Sequence, residues 1–154
     1  MFTQILMFLN LAGYSFLVAQ SLMYMIALEN LQRNIPAPAY VGFRHIVDRN
    51  FRSKFKYPFY STLITSSTLT AITAGSPASL LFITSLVAFL AFVTETIFML
   101  RGNMPINKAI NTWTRDDYPD NWEVFRDRWL KVFRYRQVAN ITGFVSLLVG
   151  AVFS

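Results

Sequence analysis

Long apolar runs alternate with two short windows that hold every basic residue of the chain. From Gln4 to Leu28 there is no charged side chain. At about 1.5 Å per residue that run can cross a hydrocarbon core of ~30 Å. Within it Asn10, Gly13, Leu17, Gln20 and Tyr24 recur at intervals of three and four, which is one stripe of a helix. Polar side chains in lipid do best against partner helices, so this stripe is expected to point into a bundle. Hydrogen bonding between helices is enough to account for it.

Glu29, Asn30 and Arg33 end the first span, and Pro36 and Pro38 break the helix. Tyr40 to Lys56 then reads as an amphipathic helix lying in the membrane interface. Tyr40, Phe43, Val47, Phe51 and Phe55 share one face, and His45, Arg49, Arg52 and Lys56 share the other. A second span covers about 57–74 and is rich in Ser and Thr, whose hydroxyls can bond back to their own helix carbonyls. Gly75-Ser76-Pro77 turns the chain into a third span, 78–100. There Thr84, Ala88 and Ala91 form a small-residue stripe that leads to Glu95. Asp120 to Glu123 has the form of a capping box. From Trp122 a seven-residue rhythm runs through Trp129, Arg136, Asn140, Gly143 and Leu147. The last helix is therefore expected to start outside the bilayer and to span it over 133–153.

The expected fold is all-α: a four-helix transmembrane bundle in a single domain of residues 1–154, with an interfacial helix between the first two spans. Composition agrees, since hydrophobic residues make up 54% and charged ones only 14%, against roughly 25% in soluble domains. Mean hydropathy is +0.38. All 14 Lys and Arg fall in 33–56 and 101–136, inside the loops 29–56 and 101–132 or at the rim of the last span. Those loops lie on one side of such a bundle. The positive-inside rule places them in the cytoplasm and both termini outside. The net charge of +6 is thus read as contact with lipid headgroups and not as nucleic-acid binding. The N-terminus lacks the basic region of a cleaved signal. With no cysteine, thiolate metal sites and thiol nucleophiles are excluded.

Glu95 is the one acid well inside an apolar span, and burying it costs a few kcal/mol unless it is compensated. Arg136 or Arg134 at the start of the last span could pair with it, with Asn140 in reach. Glu95 is then either half of a bundle-locking ion pair or a proton acceptor, metal ligand or substrate anchor. His45, the only histidine, falls among basic residues on a face that meets water. Glu29, His45 and Glu95 have the chemistry to bind a metal, but no ligand spacing supports a site, so none is assigned. Trp113, Trp122 and Trp129 suit interfacial anchoring. They equally suit the walls of a pocket for a flat apolar molecule, with Asn103, Asn107 and Arg126 as its polar contacts. No phosphate-binding loop, dinucleotide fingerprint or nucleophile elbow is present.

The run Asn103-x-Pro105-x-Asn107, followed by Trp113, Pro119, Trp122, Arg126, Trp129 and Arg136, resembles the anthrone oxygenase-like integral membrane proteins. The resemblance covers the whole chain loosely and residues 101–136 well. It implies four spans and, for some members, oxidation of anthrones to anthraquinones by molecular oxygen. Carried over, it makes Asn103, Asn107, Trp113, Trp122, Arg126, Trp129 and Arg136 the positions of interest. Glu95 would be the catalytic proton acceptor and Asn140 a further binding residue. No cofactor is required, and oxygen would be the co-substrate. The implied partners are the lipid bilayer and a lipophilic small molecule, and a homo-oligomer is compatible with them. The competing expectation is a non-enzymatic accessory subunit or lipid-binding module in which the same residues only lock helices.

Overall fold

The computed structural model describes residues Met1–Ser154 as five helices. Helix α1 is Phe2–Asn34, α4 is Leu80–Ile110 and α5 is Trp122–Phe153. Between α1 and α4 lie α2, Ala37–Lys54, and α3, Lys56–Thr73. Three of them, α1, α4 and α5, are long and apolar enough to cross a membrane. At 31 to 33 residues they measure roughly 45–50 Å, more than a hydrocarbon core needs. All three are therefore longer than a crossing requires.

The extra length has a local cause in two of them. Where the first and third spans were expected to end, α1 and α4 continue through single wide turns at Tyr24–Leu28 and Met99–Asn103. Residues 101–107 are thus helix and not an exit loop. Pro105 sits in the first turn after the second wide turn, where its missing N–H and its ring clash are absorbed. At Pro36 the chain does break: Ile35 is extended, as residues before proline prefer, and Pro36 caps α2. Phe55 alone separates α2 from α3. Ser79 begins α4 by accepting a hydrogen bond from the Phe82 N–H at 3.2 Å.

The expected capping box of α5 does not form. Asn121, one residue later than Asp120, takes the N-cap position without a side-chain bond. The Trp122 N–H is instead satisfied by the Pro119 carbonyl at 3.0 Å, and Glu123 turns to Arg126 at 3.6 Å. A backbone turn has displaced the side-chain cap.

Two apolar cores stack along the long axis. The first joins Tyr14 and Leu17 of α1, Leu69 of α3, Phe92 of α4 and Leu147 of α5. The second lies at the basic end and joins Tyr24, Tyr40, Ile106, Trp129 and Phe133. Both termini gather with the 75–79 turn at the opposite end. Outward-facing apolar side chains such as Phe16, Ile64, Leu90 and Val138 are exposed, which suits a surface solvated by lipid. The hydroxyls of α3 turn back on their own helix, as with Thr62 to Pro58 O and Thr73 to Leu69 O, both 2.8 Å.

The helices approach closely where side chains are small. A Cβ on Gly143 would lie 2.6 Å from Tyr14 Cε1 and 2.7 Å from Cζ, while the Tyr14 hydroxyl donates to the Ala88 carbonyl. One glycine thus lets a tyrosine bind α1, α4 and α5 together. Gly143→Ala is expected to destabilise the protein by roughly 1–3 kcal/mol through overpacking. Thermal unfolding in detergent reads this directly, and an unchanged midpoint would contradict the packing.

At the basic end, Glu29 accepts from Arg134 of α5, and from Arg33 Nη2 at 3.2 Å; Arg33 also pairs with Asp127 at 3.1 Å. These cations, Arg134 first, hold the Glu29 carboxyl below its ordinary value of 4.5. A depressed carboxylate contributes stability that is complete above the ordinary value and is lost as pH falls through the depressed one. The native chain's advantage over Glu29→Gln should therefore be constant near neutrality and shrink below pH 4.5. Unfolding midpoints of the two proteins across acid pH test this.

Candidate functional site

The polar residues of the second core form one continuous chain of hydrogen bonds. It begins at Glu95, fully buried in α4, whose Oε1 accepts from Arg136 Nε at 2.9 Å and Nη2 at 2.5 Å. Arg136 Nη1 donates to Asn103 Oδ1 at 3.1 Å, and Asn103 Nδ2 donates to the Trp129 carbonyl at 3.0 Å. Arg136 thus answers the buried carboxylate and Asn103 answers Arg136. Arg134, the other expected partner of Glu95, points away to Glu29.

One helical turn on, Asn107 lies on the same face of α4 as Asn103, which is what a spacing of four dictates. Its Oδ1 accepts from Trp129 Nε1 at 2.8 Å and from Arg44 Nη2 at 2.6 Å. Its Nδ2 donates to Asp48 Oδ1 at 3.2 Å. Asn111 Nδ2 and Arg52 Nε complete the Asp48 carboxylate at 2.7 and 2.9 Å. Asn107 is the joint between α2, α4 and α5.

This chain forms one wall of a cavity of about 480 Å³, within the size range of small-molecule sites. Arg44, Asp48, Asn103, Asn107, Trp129 and Arg136 supply the polar side. Phe51, Phe55, Phe59, Tyr60, Met99 and Leu100 supply the apolar lining. Both wide turns open onto it, one with Tyr24 and the other with Met99, Leu100 and Asn103. Widened turns of this kind recur at functional sites because they re-aim side chains.

The remaining sequence-derived positions lie elsewhere. Glu95 is not on the cavity wall: Arg136 stands between them, and Glu95 Oε2 is buried with no partner. Trp113 packs edge-on against Phe125, and Trp122 lies between Tyr40 and the Arg126 guanidinium. Arg126 is held by Asp127 at 3.0 Å and Glu123 at 3.6 Å. Asn140 reaches Ser21 at 3.5 Å, deeper in the bundle. His45 donates from Nε2 to the Ile110 carbonyl at 3.0 Å, tying α2 to the end of α4. Glu29, His45 and Glu95 each have separate partners, and no three His, Asp or Glu side chains come together.

The residues that sequence reasoning missed are Arg44 and Asp48. Arg44 is only 2% exposed, its guanidinium lies 4.0 Å from the centre of the Trp129 ring, and it has no carboxylate partner. Its Nε is buried and unbonded. A signal was present: Arg44 falls four residues after Tyr40 and three before Val47, inside the apolar stripe of α2. A cation in that stripe must either snorkel or find a buried acceptor. No family model, curated protein or solved structure matches this chain.

The buried pair yields a double-mutant test. Arg136→Met leaves Glu95 uncompensated and is expected to cost roughly 3–5 kcal/mol, whereas Glu95→Leu with Arg136→Met should cost less than the single change. Denaturation in lipid nanodiscs measures both. Additive losses would mean that the two side chains are not coupled.

Proposed function

We propose that this chain is a four-span membrane protein that binds a flat, lipophilic small molecule in the cavity beside Asn107. In this reading α3 is the fourth span: it packs lengthwise against α1 and α4, and the hydroxyls of Thr62, Thr65, Ser67, Thr70 and Thr73 bond to carbonyls of their own helix. The basic end faces the cytoplasm and both termini lie outside, by the charge bias of the loops. The observation that carries the reading is Arg44. A buried guanidinium with no carboxylate partner, on the wall of an aromatic-lined cavity, is compensated by a ligand oxygen that carries negative charge.

The anthrone oxygenase-like resemblance fits this site as a reaction hypothesis. An anthrone loses a ring proton, the resulting enolate is held by Arg44, and oxygen attacks the carbanion. One oxygen atom enters the ring as a carbonyl and the other leaves as water. Glu95 is poorly placed to accept the proton, since its bonded oxygen is taken by Arg136 and its carboxylate does not line the cavity. Asp48 is the carboxylate that lines the cavity. The alternative, a non-enzymatic binding or accessory protein, draws support from the locking geometry of Glu95 and Arg136.

Binding of a dihydroxyanthrone to the protein in liposomes, followed by quenching of Trp129 fluorescence, tests the reading. Arg44→Met should weaken it roughly 10–100-fold, the worth of one charge-assisted hydrogen bond, with helix content by circular dichroism unchanged. Oxygen uptake on addition of the compound would favour the oxygenase, and binding without uptake the accessory protein. No saturable quenching by the native chain would sink both forms of the proposal.

A further inference from the structure

A second hollow of about 930 Å³ adjoins the cavity on the outer side of the bundle, between α1 and α3 and beneath α2. Its floor is carved from small residues of α1, namely Ala12, Gly13 and Ala19, with Phe16 and Leu9 along its length. Tyr57, Pro58 and Ser61 of α3 form the far wall, and Asn50 and Lys54 of α2 stand at the roof. The surface is almost wholly apolar, and it runs down α1 away from the basic end.

Groove and cavity are not separate features. Gln20, Tyr24, Val47, Phe51 and Phe55 line both of them. These shared side chains form the partition, and among them is the half-buried pair Phe51 and Phe55, with ring centres 5.2 Å apart. Phe55 is also the single residue joining α2 to α3. These shared aromatics are where cavity and groove adjoin.

We propose that the ligand is an amphiphile, with an acidic aromatic head in the cavity against Arg44 and a long alkyl tail along the α1–α3 groove. The head's charge answers Arg44, the buried cavity cation that has no carboxylate partner. Arg52 and Lys56 on the same wall add to the positive field. The tail answers the groove: from Gln20 to Leu9 the helix rises roughly 16 Å, the reach of a fatty-acid-length chain. A groove open to lipid gives such a tail little hydrophobic gain over the bilayer itself. It fixes the tail's direction instead, and hence the lateral path by which the molecule enters from the membrane.

This inference rests on the cavity reading, so its test separates the two. The probes are alkylated hydroxynaphthoquinones, flat acids with tails from ethyl to tetradecyl, the longest carrying a diazirine at its tail tip. The ethyl compound should quench Trp129 in the native chain and in Arg44→Met differently, which reports head binding alone. On irradiation the tetradecyl probe should label Leu9, Ala12 or Phe16 and the Tyr57–Ser61 segment, and excess unlabelled tetradecyl compound should abolish that labelling. Ala12→Trp, which fills the groove floor, should remove the labelling yet leave ethyl binding within about twofold. If the ethyl compound quenches but the tail label is spread evenly over lipid-facing residues such as Phe8, Leu90 and Val138, the groove assignment is wrong and the cavity stands. Absence of quenching by the ethyl compound overturns the cavity reading itself.

Discussion

A carboxylate buried inside an apolar helix is the constraint on which the rest of this structure turns. Glu95 is fully buried, so the bundle must bring a cation to its level, and Arg136 is that cation. Arg136 in turn has a third N–H group to satisfy, which commits Asn103. The resulting ties between α4 and α5 fix the relative height of the two helices that pack most extensively against each other. Ion pairs of this kind add little net stability over apolar packing, but breaking one is costly. Their contribution is to the alignment of the helices.

That alignment has consequences one and two turns away. With α4 and α5 held in place, Asn107 meets the Trp129 indole, and its remaining capacity is taken by Arg44 and Asp48 from α2. An amphipathic helix that could have floated in the interface is thereby clamped onto the bundle. The clamp leaves a cavity on its inner side because the large side chains there, Phe51, Phe55 and Phe59, cannot close onto a wall of asparagine and arginine. Polar satisfaction and incomplete apolar packing arise from the same arrangement.

The wide turns at Tyr24–Leu28 and Met99–Asn103 belong to this logic. Each lets a long helix continue beyond the apolar span while changing the direction in which its last turns face. The second allows Pro105 to sit in a helix without breaking it, and so keeps Asn103 and Asn107 on one face. Had the chain left the helix at Arg101, the two asparagines would stand on a loop with no defined spacing.

Apolar run lengths, the clustering of all basic residues and the inward stripes of α1, α4 and α5 were legible in the chain itself, because they follow from solvation and helical period alone. So was the pairing of Glu95 with Arg136, since an uncompensated carboxylate at that depth has few remedies. The extension of α1 and α4 through wide turns was not, because tertiary packing decides whether a proline or a polar residue ends a helix. Nor was the role of Arg44 and Asp48. Whether a charge on an amphipathic helix faces water or a buried amide depends on how that helix is rotated against elements far away in sequence. Of the positions singled out from the sequence, Asn103, Asn107, Trp129 and Arg136 come together in one hydrogen-bonded chain, while Trp113, Trp122, Arg126 and Asn140 pack elsewhere. Residue type and spacing place a side chain on a face; only the packing of the whole bundle decides what that face meets.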